Sequence, residues 1–176
     1  GPPSALRLIF SRRDRAFAVS MESPTQLLVS KPFVEGRGPE FSPDLVYVYS
    51  EGGAINAGAV QDDTVILFQE RGIYAFAGEG PNALGQGSFT PARKLSSDTT
   101  AISQNGVVSC RLGTIFKGLK GFALLARDLS IDLTIGYPVA SFNDREVKAA
   151  LLLEKRDAVR FVLSGGIVLD LDLTHR

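Results

Sequence analysis

Short runs of apolar residues alternate along the chain with small clusters of Gly, Pro, Asn and Asp. The first runs are Leu6 to Phe10, Ala16 to Ser20, Leu27 to Ser30 and Leu45 to Tyr49. Ile55 to Val60, Thr64 to Phe68 and Gly72 to Phe76 follow. The second half contributes Val107 to Arg111, Thr114 to Phe116, Gly121 to Ala126 and Ile131 to Ile135. Ala149 to Leu153, Val159 to Leu163 and Ile167 to Leu173 close the series. Short runs rich in β-branched and aromatic residues, spaced almost regularly between turn residues, predict an all-β sandwich, barrel or propeller. One stretch competes as a helix. It is Asp144 to Arg156, whose residues Lys148 to Lys155 are good helix formers, and periodicity alone does not separate a buried strand from a helix in so short a run.

An internal repeat favours the strand. Thr64-Val65-Ile66-Leu67-Phe68, a short polar turn and Gly72-Ile73-Tyr74-Ala75-Phe76 have two later counterparts. One is Gly113 to Phe116 followed by Gly121 to Leu125; the other is Ala158 to Phe161 followed by Gly166 to Leu169. A weaker version, Leu8-Ile9-Phe10 then Ala16 to Val19, lacks the glycine. The anchors Phe10, Phe68, Phe116 and Phe161 are separated by 58, 48 and 45 residues. That period suits propeller blades of about 40 to 50 residues. Gly72, Gly121 and Gly166 stand where a tight turn calls for positive φ. The expected architecture is therefore antiparallel four-stranded repeats, β-propeller-like, in a single domain over 1–176. Its units lie near 5–60, 61–105, 106–145 and 146–176, with an insertion around Lys31 to Phe41 stretching the first. Some four units in 176 residues suggest a few blades of a larger propeller.

Composition adds mainly exclusions. Nineteen basic residues balance nineteen acidic ones, so no overall field calls for nucleic acid. The local bias is Arg7, Arg12, Arg13 and Arg15, interrupted by Asp14. A solvated turn is the favoured reading there, with a surface facing DNA or an acidic partner as its rival. The single cysteine, Cys110, excludes an internal disulfide and a multi-cysteine zinc site, and its setting reads as a small buried hydrophobe. Gly1-Pro2-Pro3-Ser4 leads straight into a strand-like run, so no signal peptide is expected. No apolar stretch approaches the roughly 20 residues of a membrane-spanning helix.

The search for chemistry returns little. The one histidine, His175, sits next to the last residue, which leaves neither a Ser-His-Asp triad nor a base for Cys110. Asp170 and Asp172 share a strand face and could hold a cation such as Ca²⁺, although a solvated face is favoured. Asp62-Asp63 reads as a turn, and Asp128 with Asp132 shows no set separation across a cleft. The Gly-rich segment Gly78 to Gly87 lacks the Gly-Lys-Ser/Thr ending of a phosphate cradle, and Pro81 removes an amide. No catalytic, cofactor-binding or metal-binding residue is assigned, no cofactor is expected, and the chain reads as a non-enzyme.

Several segments resemble large bacteriophage tail proteins. They are Leu28 to Pro32, Pro39-Glu40-Phe41, Ile55 to Asp63, Val65 to Phe68, Gly72-Ile73-Tyr74, Gly78-Glu79-Gly80-Pro81-Asn82, Ser96-Ser97-Asp98, Gly121 to Leu129 and Ile135 to Val139. The most specific elements are Gly-x-Gly-Pro-Asn after a hairpin and Leu-Leu-x-Arg-Asp-Leu further on. The resemblance covers roughly residues 5 to 173. It implies a virion-associated β-propeller of the tail hub, nozzle or adaptor-proximal ring, which helps form the DNA exit channel or attach fibres. Its implied partners are other phage tail proteins, further copies in a homo-oligomeric ring and, non-specifically, phage DNA, with no membrane involved. Two departures stand out: family members are several times longer, and Ala101 to Asn105 replaces a segment that carries Gly-Cys and Asn-Pro in the family. The alternative is a non-catalytic propeller-like binding domain for a protein or carbohydrate partner.

Overall fold

Tight turns between antiparallel strands set the local structure, and the sheets follow from them. The computed structural model describes residues 5–82 and 84–174. β1 (Leu6–Arg12) and β2 (Arg15–Ser20) are joined by Arg13-Asp14. β3 (Gln26–Ser30) and β4 (Phe41–Val48) complete the first sheet in the order β1-β2-β3-β4, with Pro43 confined to the edge strand. β5 (Ile55–Gln61), β6 (Thr64–Gln69), β7 (Gly72–Phe76) and β8 (Arg93–Ser96) form the second. Its first turn, Asp62-Asp63, has φ of 47° and 64°, the pair of positive values that a two-residue hairpin of right-handed twist requires. β9 (Val107–Cys110), β10 (Gly113–Gly118), β11 (Gly121–Ala126) and β12 (Ile131–Asp132) form the third. β13 (Val147–Leu153), β14 (Ala158–Leu163) and β15 (Ile167–Asp172) form a fourth sheet of three strands.

The all-β, antiparallel expectation therefore holds, and within the ambiguous stretch at 144–156 Val147–Leu153 is strand, followed by a single 3-10 turn at Glu154–Arg156. Its leucines alternate between the two faces of β13, and packing overrides their helical propensity. Two expectations change. The boundary at 60/61 cuts β5 from its own sheet, since Gln61 pairs with Thr64 across the hairpin, and the first sheet ends at Val48. The last unit has three strands among the described residues rather than four.

Three apolar cores lie between successive sheets. Phe17, Val19, Leu27 and Val29 of the first sheet pack against Ile55, Val65, Leu67 and Phe76 of the second. Ile66, Phe68, Ile73 and Ala75 on the second sheet's other face meet Phe116, Ala123 and Leu125 of the third. Ile115, Phe122 and Val108 meet Val159, Phe161 and Leu163 of the fourth. The first strands run along one side of this stack, β1 against β5, β5 against β9 and β9 against β13. β1, β5 and β13 share an irregularity: the pairing skips a residue between Leu6 and Leu8, Ile55 and Ala57, and Val147 and Ala149. The skipped Arg7 and Asn56 meet in a 2.7 Å hydrogen bond between neighbouring strands. Such bulges bend a strand, and here they recur at the start of three sheets.

The sheets also correct the repeat. Equivalent strands β2, β6, β10 and β14 begin at Arg15, Thr64, Gly113 and Ala158, intervals of 49, 49 and 45 residues. Gly72 and Gly121, which open β7 and β11, keep the same interval of 49, with φ of 145° and 116°. Gly166, 45 residues further on with φ of 74°, lies in the turn before β15. The phenylalanines do not keep it. Phe10 lies on a first strand, whereas Phe68, Phe116 and Phe161 lie on second strands. Phe68 and Phe116, 48 apart, face each other across one core with ring centroids 5.0 Å apart. A shift of one residue in a strand reverses the face a side chain occupies. The anchors read as equivalent are thus opposed partners, and Phe161 is the true counterpart of Phe116.

Candidate functional site

The N-terminal arginines divide sharply. Arg12 and Arg15 are buried, not solvated as the turn reading has it. Arg12 Nη1 donates to the Gly78 carbonyl at 2.6 Å and Nη2 to that of Glu79 at 3.3 Å, while Nε faces Asp14 at 3.2 Å. Arg15 Nη1 donates to the Ser30 carbonyl at 3.0 Å, and Nη2 donates to the Pro81 carbonyl. Two guanidiniums thus hold the Gly-rich segment against the β1–β2 hairpin. The segment turns carbonyls, not amides, toward its partners, the opposite of a phosphate cradle. Period-two spacing could have revealed this. Leu8, Phe10 and Arg12 share one face of β1, and Arg15, Phe17 and Val19 share one face of β2. Arg7 is exposed and bonds Asn56, and Arg13 is exposed and lies 3.9 Å from Asp63.

The carboxylate pairs resolve into local roles. Asp62 pairs with Arg127, whose Nε donates to the Arg111 carbonyl at 2.6 Å. Arg111 in turn bonds Asp157 at 3.0 Å. Ion pairs therefore run from Arg13 through the hairpin tips of all four sheets. Each is solvent-exposed and worth about 0–1 kcal/mol, so they align neighbouring sheets more than they stabilise them. Asp128 accepts from Ser130, and Asp132 from Thr134. Asp170 accepts two bonds from Arg160, at 2.7 and 2.6 Å, and that hydrogen bonding holds its carboxyl below the usual range. Asp172 accepts from the Thr174 amide at 2.8 Å. No group of three or more His, Cys, Asp or Glu with metal-holding geometry occurs among the described residues. Cys110 is half-buried at the edge of the third core, less enclosed than its sequence setting implies. His175 lies outside the described residues.

The repeat anchors are structural. Phe68, Phe116 and Phe161 are buried, and Phe10 is half-buried and stacked on Phe17 at 5.2 Å. A Cβ on Gly72 would collide with the Ser96 carbonyl and one on Gly121 would lie 2.7 Å from Asn143 Nδ2, whereas Gly166 faces open space.

The outermost sheet faces hold the remaining candidates. On the first sheet, Ile9, Ala18, Leu28 and Val46 form one row across all four strands, on the side away from the core. Ile9 is 52% exposed and Val48, on the same face, 62%. On the fourth, Leu151 and Val168 are 48% and 51% exposed on the face away from its core. A pocket of about 250 Å³ opens between the third and fourth sheets, lined chiefly by Ile115, Phe122, Val139, Phe161, Leu169 and Leu171. A second cleft of about 450 Å³ lies among the hairpin tips, between Arg13, Asp14, Asp62, Asp63 and Glu79.

No protein-family model and no curated protein sequence matches the chain. No helix among the described residues is long and apolar enough to cross a membrane.

Proposed function

We propose that this chain is a non-catalytic structural section of a β-propeller-like ring in a bacteriophage tail, at the hub, nozzle or adaptor-proximal level. There it contributes to the DNA exit channel or to fibre attachment, alongside other tail proteins and further copies of itself. The observation that carries the reading is the stack: successive antiparallel sheets pack face to face with their first strands along one side. Radial repetition of this kind is how propellers bury sheet faces. Exposed apolar side chains on both end faces support it too, since a further sheet would cover Ile9 and Val48 or Leu151 and Val168, the last two flanking the Arg160–Asp170 ion pair. Arg12 and Arg15 are committed to carbonyls, so any DNA contact in this reading falls to the exposed Arg7 and Arg13 and not to the whole cluster.

Mass spectrometry of density-purified virions tests the assignment. The expected result is peptides of this chain at a fixed ratio to the other tail proteins. Their absence from intact virions, with the protein present in the lysate, would reject a structural tail role.

A further inference from the structure

Between the first and second sheets, at the end of the stack away from the Asp62-Asp63 turn, lies a cavity of about 310 Å³. Val48 and Tyr49 at the end of β4, Gln69 at the end of β6, Tyr74 within β7 and Ala92 just before β8 form its wall. The turn at 50–53 fits closely over two of these side chains because it carries Gly52. A Cβ there would collide with Gln69 Oε1 and lie 2.7 Å from Tyr74 Cε2. Two groups in the wall keep bonding capacity. Tyr74 is 4% exposed, yet its hydroxyl has no hydrogen-bond partner among the described residues, a costly state for an enclosed polar group. Gln69 is buried and spends both amide hydrogens, on the Tyr49 carbonyl at 2.7 Å and the Gly53 carbonyl at 2.8 Å, so its oxygen is what remains to offer. The charges nearby are of opposite sign: Lys94 Nζ stands 5.7 Å from the Tyr74 ring centroid, and Glu51 lines the cavity.

We propose that this cavity is a binding site for a single uncharged sugar ring. A sugar hydroxyl both donates and accepts, so one such group accepts from Tyr74 and donates to the Gln69 oxygen. The apolar face of the ring lies on Val48 and Ala92. The volume stands at the lower end of the roughly 300–1,000 Å³ of small-molecule sites, which suits one ring and not a longer saccharide. Lys94 and Glu51 offset each other, which disfavours a cation or an anion as the ligand. The Tyr74 hydroxyl is closed off in the free chain, so binding has to lift the turn at 50–53. Gly52 and Gly53, the latter with φ of 77°, allow that movement. The inference does not depend on the tail reading, since it concerns a cavity between two inner sheet faces and not the assembly of the stack.

The probes are the methyl glycosides of glucose, galactose and N-acetylglucosamine, with methylammonium and acetate as charged comparisons. Two-dimensional amide NMR of the full chain reads both affinity and place. At least one glycoside is expected to bind with a Kd of about 1–10 mM and to shift the amides of residues 50–53, Gln69 and Tyr74, which neither ion moves. Tyr74→Phe removes only the hydroxyl. It is expected to weaken binding about tenfold while the thermal midpoint stays level or rises, because no bond within the protein is lost. Ala92→Leu, which grows into the cavity, is expected to abolish the shifts. No shift with any glycoside, shifts elsewhere on the chain, tighter binding of either ion, or undiminished binding by either variant overturns the proposal. So does a lowered midpoint for Tyr74→Phe, which would mean that buried water already satisfies the hydroxyl.

Discussion

Arg15 shows how a charged side chain can belong to an apolar core. Its guanidinium lies beside Asp14 at 3.6 Å and donates to two carbonyls, so its charge is compensated although the side chain is almost fully enclosed. Arg15→Met keeps much of the volume but leaves the Ser30 and Pro81 carbonyls short of a donor. The expected loss is about 2–3 kcal/mol in urea unfolding, together with faster amide exchange in residues 78–82. Burial pushes the Tyr49 hydroxyl up to about 12. Because the folded value exceeds the unfolded one of about 10, the neutral phenol stabilises the fold below pH 10, and that contribution is lost as pH rises toward 12. Tyr49→Phe should therefore flatten the decline in thermal midpoint over that window, and an unchanged slope would contradict the assignment. Lys117 moves the other way. Burial lowers its pKa, so stability should rise as the pH climbs from its folded value toward 10.5, where the charged amine no longer has to be enclosed. The buried roles of Arg12 and Arg15 are encoded in alternation alone, which a cluster of four nearby arginines masks.

At the level of single elements, the glycines kept the repeat and the phenylalanines lost it. A glycine that opens a strand is tied to backbone geometry. Gly72 combines φ of 145° with a neighbouring carbonyl that leaves no room for a Cβ. Gly72→Ala should cost about 2 kcal/mol or more, whereas Gly166→Ala, strained at φ of 74° but facing open space, should cost about 1 kcal/mol. Denaturant titration of the two variants ranks them, and the reverse order would contradict the packing. A phenylalanine only has to fill space, and either face of a strand in this stack is apolar. That is why the strands were legible and their register was not: alternation marks a face but does not say which neighbouring sheet it meets. Phe68 and Phe116 touch, so Phe68→Leu and Phe116→Leu should be coupled, each costing about 1 kcal/mol and the pair departing from the sum. Phe68→Leu with Phe161→Leu, in different cores, should be additive.

Across the whole molecule, the number of units and the all-β class could be read from the spacing of turn residues. The three-stranded last sheet could not, because Asp170 and Asp172 make β15 look like an ordinary solvated strand. The end faces carry the remaining prediction. Ile9→Lys and Leu151→Lys replace exposed apolar side chains, so each should change unfolding free energy by no more than about 0.5 kcal/mol. If those faces seat further sheets, both variants should be depleted from assembled particles, as judged by sedimentation. Normal incorporation would place the assembly contacts elsewhere.

The three cores share no residue, and each is closed by only two sheets. Held by its ends and drawn apart, such a stack has no single point of failure. Each sheet resists through its own neighbours, so force would rise and drop in steps as one layer after another yields. If the chain sits in a tail as proposed, it would yield to load a layer at a time.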